Sequence, residues 1–423
     1  MPKVLIITYY WPPGAGAGVQ RWLKFSKYLP FYGWEPFILT VDPQFATYPA
    51  LDPSLEEEIP PSMKIWKTKA KDYFRLYKKD KSHIPSSGFA AGSEKELIDK
   101  IIRFVRGNFF LPDPRRGWNK YAFKKACEII EDYEINYIIT TSPPHSTQLI
   151  GLKLRNKYKN LKWMADLRDP WTDIYYYNLF YPSVLSRKID TMYESEVLKN
   201  ADKLITVGKS LKELFVAKHQ DIEQKTEIIF NGYDDDDFNN LNKNTPEIFT
   251  LSYIGTLSVM YPLDGLLKAL SELEKRNLTF RLRFVGYVSD KQKELISSAI
   301  SINRLEFIEY TNHKSAIGYM AESSVLILII PDHSTSRSII TGKLFEYLAS
   351  QRPVLYLGPV DGDAAEILRA SGHKSVFGWN DHPGIARFIF GAMEHPEEII
   401  PQKPSDYSRK ALTSRLSGIL STL

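Results

Sequence analysis

Two stretches of the chain hold residues whose types and spacing suit chemistry. The first, "TYYWPPGAGAGVQR" at 8–21, follows the apolar run 4–7 and precedes a helix-like pattern; it carries Gly14, Gly16 and Gly18. A glycine loop between a strand and a helix leaves backbone N–H groups free at the positive end of the helix dipole. Glycine also lets another molecule approach the backbone closely. Such a loop can meet a phosphate or an acceptor molecule; the plainer alternative is a turn that needs positive φ. A dinucleotide fingerprint requires G-x-G-x-x-G directly after the strand and an acidic residue about 20 positions on. Asp42 lies at a suitable distance, but here the glycines are two apart and two prolines lengthen the turn, which argues against that motif.

The second stretch is "SIITGKLFEYLASQRPVLYLG" at 338–358. Gly342 precedes Lys343, and Glu346 stands three positions further on, so on a helix Lys343 and Glu346 share a face near its start. A lysine pairs with phosphate as a point charge. An ionised glutamate accepts two hydroxyl hydrogen bonds, as a ribose would offer. A surface ion pair between Lys343 and Glu346 is the equally open alternative.

Three further polar residues, Asp166, Arg168 and Asp169, close an apolar run in "MADLRDPWTD". Ligands of parallel sheets bind at the C-terminal ends of strands, so these three either pair with one another or reach an acceptor. The run Asp234–Asp237 invites a metal reading, but its spacing matches no calcium loop and it reads as a capping or solvated turn. The single cysteine, Cys127, excludes an internal disulfide and cysteine-based metal sites. No metal or other cofactor is expected.

These residues need a scaffold. The chain has 423 residues, 43% hydrophobic and 25% charged, enough for two or three domains. Candidate strands fall at 3–8, 36–41, 137–140, 162–165, 203–206 and 227–229. A second set falls at 249–254, 282–285, 305–308, 325–330 and 353–357. Helical patterns alternate with both sets, which predicts two α/β domains with parallel sheets. The polar stretch 231–246 reads as the linker between them. The segment 60–113 interrupts the alternation, and its Ser/Gly/Ala-rich part at 82–94 reads as a flexible loop.

Net charge is +5, unevenly spread. Residues 61–125 hold 17 Lys/Arg against 6 Asp/Glu, interleaved with aromatics such as Trp66, Tyr73, Phe104, Phe109 and Trp118. That pattern suits a solvated basic face or an anionic membrane surface. Nucleic acid is not expected, since no binding module is recognisable. No run of about 18 apolar residues appears, and the N-terminus enters a strand without a basic-then-apolar leader. Cytoplasmic localisation is therefore expected, with peripheral contact at the inner membrane face.

Six stretches, in order, resemble the two-domain GT-B glycosyltransferases, specifically the retaining nucleotide-sugar enzymes of family 4. They are "YYWPPGAGAGVQRWLKFSKYLPFYGWEPFILT", "TSPPHSTQLIGL", "MADLRDPWTD", "FNGYDDDDF", "LSYIGTL" and "GKLFEYLASQRPVL". The resemblance implies two Rossmann-like domains facing across a cleft. An N-terminal acceptor-side domain would span 1–230, a nucleotide-sugar-binding domain 247–404, and a helix in 405–423 would cross back. It implies transfer of a sugar, with retention, from a nucleotide diphosphate sugar to a glycan or lipid-linked acceptor in cell-surface polysaccharide synthesis. It implies that Gly16 and Gly18 lie under the donor diphosphate, that Gly255 and Thr256 form the matching turn of the second domain, and that Glu346 holds the donor ribose. The family's first glutamate would fall at Ser338, a departure that bears on which sugar is bound. The turn after Gly255 lacks the family's usual basic residue, which shifts phosphate charge onto Lys343 or Arg337, next to Gly342.

In related enzymes a polar residue or histidine near His145 lies by the transferred sugar. Its imidazole would hydrogen-bond a hydroxyl or stabilise the transition state; alternatively it is a polar residue at a helix start. In the retaining chemistry of this family the departing phosphate takes the acceptor's proton, so phosphate stabilisation outweighs acid/base pairing. A nucleotide-sugar epimerase and a non-catalytic binding subunit remain as alternative readings.

Overall fold

The computed structural model describes residues 1–71, 73, 96–239, 246–396 and 404–423. These form two compact units: Met1–Asn231 with Arg409–Leu423, and Gly232–Ser408.

Unit 1 is built on seven parallel strands: β1 (Lys3–Ile7), β2 (Glu35–Val41), β3 (Lys64–Thr68), β4 (Tyr137–Ser142), β5 (Lys162–Leu167), β6 (Lys203–Thr206) and β7 (Thr226–Ile228). Their spatial order is β3-β2-β1-β4-β5-β6-β7. Among the helices described beside them are α1 (Ala17–Tyr28), α2 (Glu96–Phe109), α3 (Asn119–Tyr133), α4 (Gln148–Lys157), α5 (Val184–Asn200) and α6 (Lys209–Lys218). Sheets covered on both faces need continuous apolar strands, and KVLII in β1 supplies one. Leu5 and Ile7 enter one core with Trp118, Ala122 and Ile150, while Val4 and Ile6 enter the opposite core with Val19, Trp22 and Leu23. That split follows from the two-residue period of a strand.

Unit 2 carries β8 (Thr250–Ile254), β9 (Arg281–Val285), β10 (Leu305–Ile308), β11 (Val325–Ile329), β12 (Val354–Leu357) and β13 (Val376–Phe377), ordered β10-β9-β8-β11-β12-β13 and parallel throughout. Its helices are α7 (Asp264–Lys275), α8 (Asp290–Ala299), α9 (His313–Ala321), α10 (Gly342–Ser350), α11 (Asp363–Ala370) and α12 (His382–Glu394). The last helix, α13 (Arg409–Leu420), belongs to unit 1, where Leu412, Leu416 and Leu420 bury one face in the core beside α1.

Both strand orders reverse direction once. In unit 1 the reversal lies between β1 and β4, and in unit 2 between β8 and β11. Open parallel sheets place ligands outside the strand C-termini at such switch points. The loops there hold Gly14–Gly18 and His145 in unit 1, and Gly255 and the approach to Lys343 in unit 2.

Three sequence expectations change. The segment 60–113, read as an interruption, contributes β3 and α2. Among the described residues β3 pairs only with β2, and Trp66 stacks on Phe37 at 5.6 Å between centroids. KIWKT is short and lysine-rich, as edge strands commonly are, so its pattern was weak. The supposed linker at 231–246 begins inside unit 2: Gly232, Tyr233 and Asp234 are buried, and Tyr233 bridges to Ser408. Asp234 caps the short turn Asp235–Asp237 by accepting from the Asp236 N–H at 3.3 Å. β5 runs to Leu167, two residues beyond the expected end, which changes the role of Asp166. The loop at 82–94, much of the basic stretch 61–125 and residues 240–245 lie outside the described residues. No helix among the described residues is long and apolar enough to cross a membrane.

Candidate functional site

In unit 1 the three loop glycines answer to different constraints. Gly14 is packed closely by the Trp11 carbonyl and the Tyr48 ring. Gly16 adopts φ 107° at the cap of α1, a conformation that side chains resist. Gly18 lies under the Arg168 guanidinium, which any β-carbon there would overlap. Arg168 is held in place by donating to the carbonyls of Ser142 (3.0 Å) and Pro143 (3.3 Å). The glycine loop, Arg168 and the loop preceding His145 therefore meet in one place.

Asp166, expected on the acceptor side, is turned inward. It is fully buried because β5 extends past it, and its carboxylate is fully engaged. It accepts from Arg21 at 3.0 Å, Trp22 Nε1 at 2.8 Å and Thr141 Oγ1 at 2.7 Å. Arg21, also buried, donates onward to the carbonyls of Ile229 (2.9 Å) and Phe230 (2.8 Å). Asp166 thus ties α1, β4 and β5 to the end of the first sheet and cannot touch an acceptor. Asp169 differs: it makes no hydrogen bond among the described residues, and burial raises its carboxyl above the usual range.

His145 stands at the start of a short turn before α4 and stacks on Trp171 at 4.8 Å, 17° from parallel. Its Nδ1 is buried without a hydrogen-bond partner among the described residues. Burial, reinforced by Arg168 and Lys218, pushes its pKa down to about 3. The ring is therefore neutral at physiological pH, able to form hydrogen bonds but not to serve as a cation.

In unit 2, β8 is followed by Gly255, whose φ of 126° turns the chain sharply. A β-carbon on Gly255 would lie 3.2 Å from Lys343 Nζ. That ammonium sits 3.9 Å from the centroid of the Tyr253 ring and makes no hydrogen bond or close ion pair among the described residues. Burial lowers its pKa to about 7, opposed by Glu346. The alternative reading, a Lys343–Glu346 ion pair, does not form; Glu346 Oε1 instead meets His313 Nε2 at 3.0 Å. Thr256 is exposed, with its carbonyl accepting from the Tyr253 hydroxyl at 2.7 Å.

Gly342 is the first residue of α10, so Lys343 lies in the turn where N–H groups are unpaired. The Ser338 hydroxyl donates to the Thr335 carbonyl at 2.9 Å. Arg337, expected to carry phosphate charge, instead points to the surface and pairs with Asp361 at 3.0 Å. Being exposed, it lacks the desolvation that would strengthen a phosphate contact.

Sequence reasoning missed His313, Trp171, Tyr177 and Asp190. A signal for Asp190 existed: Asp190 and Glu194, four apart on α5, are both 1% exposed. Carboxylates one helical turn apart on a buried face stand out against an apolar stripe.

No family model matches the sequence, and no curated protein matches it. Solved structures do. HepE from Anabaena, in complex with UDP and glucose, aligns over 100% of both chains with TM-score 0.60 and 12% identity. Sucrose-phosphate synthase from Thermosynechococcus elongatus aligns over 100% of this chain and 95% of its own, with TM-score 0.58 and 15% identity. The lipopolysaccharide outer core galactosyltransferase WaaB in its apo form aligns over 100% of both, with TM-score 0.58 and 14% identity. The chain has the GT-B fold. Its two parallel α/β units, of seven and six strands, are the GT-B pair, and the similarity at these identities concerns the fold.

Proposed function

We propose that the protein is a retaining glycosyltransferase of the hexosyl type, moving a sugar from a nucleotide diphosphate sugar to a glycan or lipid-linked acceptor, in cell-surface polysaccharide synthesis. The observation that carries this reading is Lys343: a half-buried ammonium without a carboxylate partner among the described residues, beside a glycine turn at the unit 2 switch point. A diphosphate fits there. The glycine at 255 lets it approach the backbone, Lys343 pairs with it, and the first N–H groups of α10, from Gly342 on, complete an anion site. Glu346, steadied by His313, is placed to accept from a ribose. As the bond to the sugar breaks, charge grows on the leaving phosphate, and Lys343 stabilises it.

On the unit 1 side, Gly16 supplies close backbone approach, and Gly18 makes room for Arg168. Arg168 fixes that loop. Asp169, with its carboxyl unengaged, is the remaining acceptor-side candidate. His145 acts as a neutral hydrogen-bonding ring. No metal enters this scheme. HepE was solved with UDP and glucose, which supports a uridine nucleotide as the first donor to try. The protein works in the cytoplasm, with α2 and the basic stretch contacting the inner membrane face.

The test is a thermal-shift panel with UDP, GDP, ADP, dTDP and CMP on wild type and Glu346→Ala, followed by product analysis with the matching nucleotide sugar. Stabilisation by one diphosphate, weakened in Glu346→Ala, is expected. Donor epimerised without acceptor would replace transfer by epimerisation. Binding without any turnover would make the chain a binding subunit, the reading favoured by Ser338.

A further inference from the structure

Glu346 has one carboxylate oxygen engaged and one open. It stands on α10 between Phe345 and Tyr347, both buried. The Tyr347 hydroxyl accepts from the Ile254 N–H at 3.0 Å, so the backbone under Glu346 is tied to the end of β8. Oε1 of Glu346 meets His313 Nε2 at 3.0 Å. Oε2 makes no hydrogen bond or ion pair among the described residues. Lys343, three positions earlier on the same helix, sets its ammonium over the Tyr253 ring and does not pair with the carboxylate.

His313 is held from its own side. It is the first residue of α9, and Asn312 caps that helix by accepting from the Ser315 N–H at 2.9 Å. The cap fixes the direction in which the imidazole leaves the backbone. An ionised carboxylate can only accept, so the proton of the contact sits on His313 Nε2. The two side chains are 16% and 19% exposed, so water competes little for this bond. A carboxylate meets a pair of neighbouring hydroxyls best with one donor on each oxygen, as in bidentate contacts. That requires both oxygens open, and His313 has taken one.

We propose that His313 is a positioning residue that divides the Glu346 carboxylate, so that the donor site reads one ribose hydroxyl, through Oε2, and not the pair. This rests on the reading of Glu346 as the ribose contact. One hydroxyl donates to Oε2 while the histidine keeps Oε1 and, with it, the plane of the carboxylate. Reading both hydroxyls would first break the His313 bond and leave a largely buried N–H unpaired. One bond would be lost for one gained. A nucleotide that lacks only the unread hydroxyl therefore binds as well as its parent.

The experiment is calorimetric titration of the full chain with UDP, GDP and ADP, then with the 2′-deoxy and 3′-deoxy forms of whichever binds most tightly. In wild type one deoxy form is expected to bind at least about tenfold more weakly than its parent, the effect of losing a hydrogen bond to a charged group, and the other within about twofold. The two deoxy forms thus differ at least about fivefold. In His313→Ala that ratio should fall below about twofold, because both carboxylate oxygens then stand equal. His313→Gln, whose amide can donate to the same oxygen, should restore it. His313→Phe keeps a ring without the donor and carries the test should the alanine variant fold poorly. A merely structural histidine would weaken all three nucleotides alike and leave the ratio unchanged, which overturns the proposal. Two penalised deoxy forms in wild type, or none, overturn it as well. Lys343→Ala reads the donor site separately. Nucleotide binding weakened by Lys343→Ala, with a ratio indifferent to His313, keeps the donor reading and sinks this inference alone. No binding of UDP, GDP or ADP by wild type sinks both.

Discussion

Lys343 carries its charge against the Tyr253 ring, not against a carboxylate, and this sets how binding depends on pH. Its pKa falls from 10.5 to about 7 in the folded protein. The unfolded chain therefore holds the proton more tightly, so this group opposes folding below about 7, and stability rises from there toward 10.5. A diphosphate favours the charged form. UDP binding at pH 8 is expected to take up a fraction of a proton, seen by calorimetry in buffers of different ionisation enthalpy, and affinity should fall as pH rises above 7. Lys343→Ala should weaken UDP about 10- to 100-fold, the worth of a charged hydrogen bond. UDP affinity that ignores both pH and this substitution would remove Lys343 from the site. Asp190 shifts the other way, with burial raising its pKa to about 6. Its folded form holds the proton more tightly, so stability drops as pH rises through the interval up to 6. Asp190→Asn should gain on the order of 1–3 kcal/mol at pH 7 and nothing near pH 4, by denaturant melts. At this scale the sequence showed Lys343 and Glu346 through their spacing on one helix. It could not show that Glu346 turns to His313, 33 positions away. Nor could it show that Asp166 faces inward, because that depended on where β5 stops.

At the scale of elements, apolar runs such as VLILI in β11 were legible because a strand buried on both faces has no room for polar alternation. β3 and α2 were not, since KIWKT is only five residues long and α2 follows a stretch without periodicity. The glycine loop shows what spacing conceals. Gly18 reads as room for a ligand, yet its nearest neighbour is Arg168, brought in by the loop after β5. The packing of α1 against that loop therefore depends on a missing side chain. Gly18→Ala is expected to cost about 1–3 kcal/mol through overpacking, read as a lowered urea midpoint. Arg168→Ala in the same chain should recover part of that loss, because the two positions touch and their effects are not additive. Equal losses with and without the arginine would mean that Gly18 is required for its backbone instead.

At the scale of the whole molecule, the chain leaves unit 1 at Asn231 and returns at Arg409, so α13 completes a core begun more than half the sequence earlier. Repetition of leucine at 412, 416 and 420 puts one helix face into that core. Unit 2 has a core of its own, built from residues such as Leu251, Leu282, Ile327 and Leu355. The basic stretch adds a surface property: α2 exposes Ile101, Phe104 and Phe109. Phe104→Glu with Ile101→Glu should therefore reduce pelleting with phosphatidylserine vesicles several-fold, and unchanged pelleting would remove the membrane contact. The two cores also allow the donor assignment to be tested without any turnover. Every donor contact proposed on Lys343, Gly255 and Glu346 lies in unit 2, whereas Leu416 is wholly buried in unit 1. Leu416→Ala removes buried methyl groups and should destabilise unit 1 by about 2–5 kcal/mol. UDP at 100 times its dissociation constant stabilises what it binds by about 2.7 kcal/mol. Hydrogen exchange followed by mass spectrometry reads the two units separately. UDP should slow exchange in β8 and α10, and Leu416→Ala should speed exchange in β1 and α1 while leaving the UDP effect on unit 2 in place. Protection by UDP confined to unit 1 would contradict the donor assignment, because no residue given to the phosphate or ribose in unit 2 would then be responding.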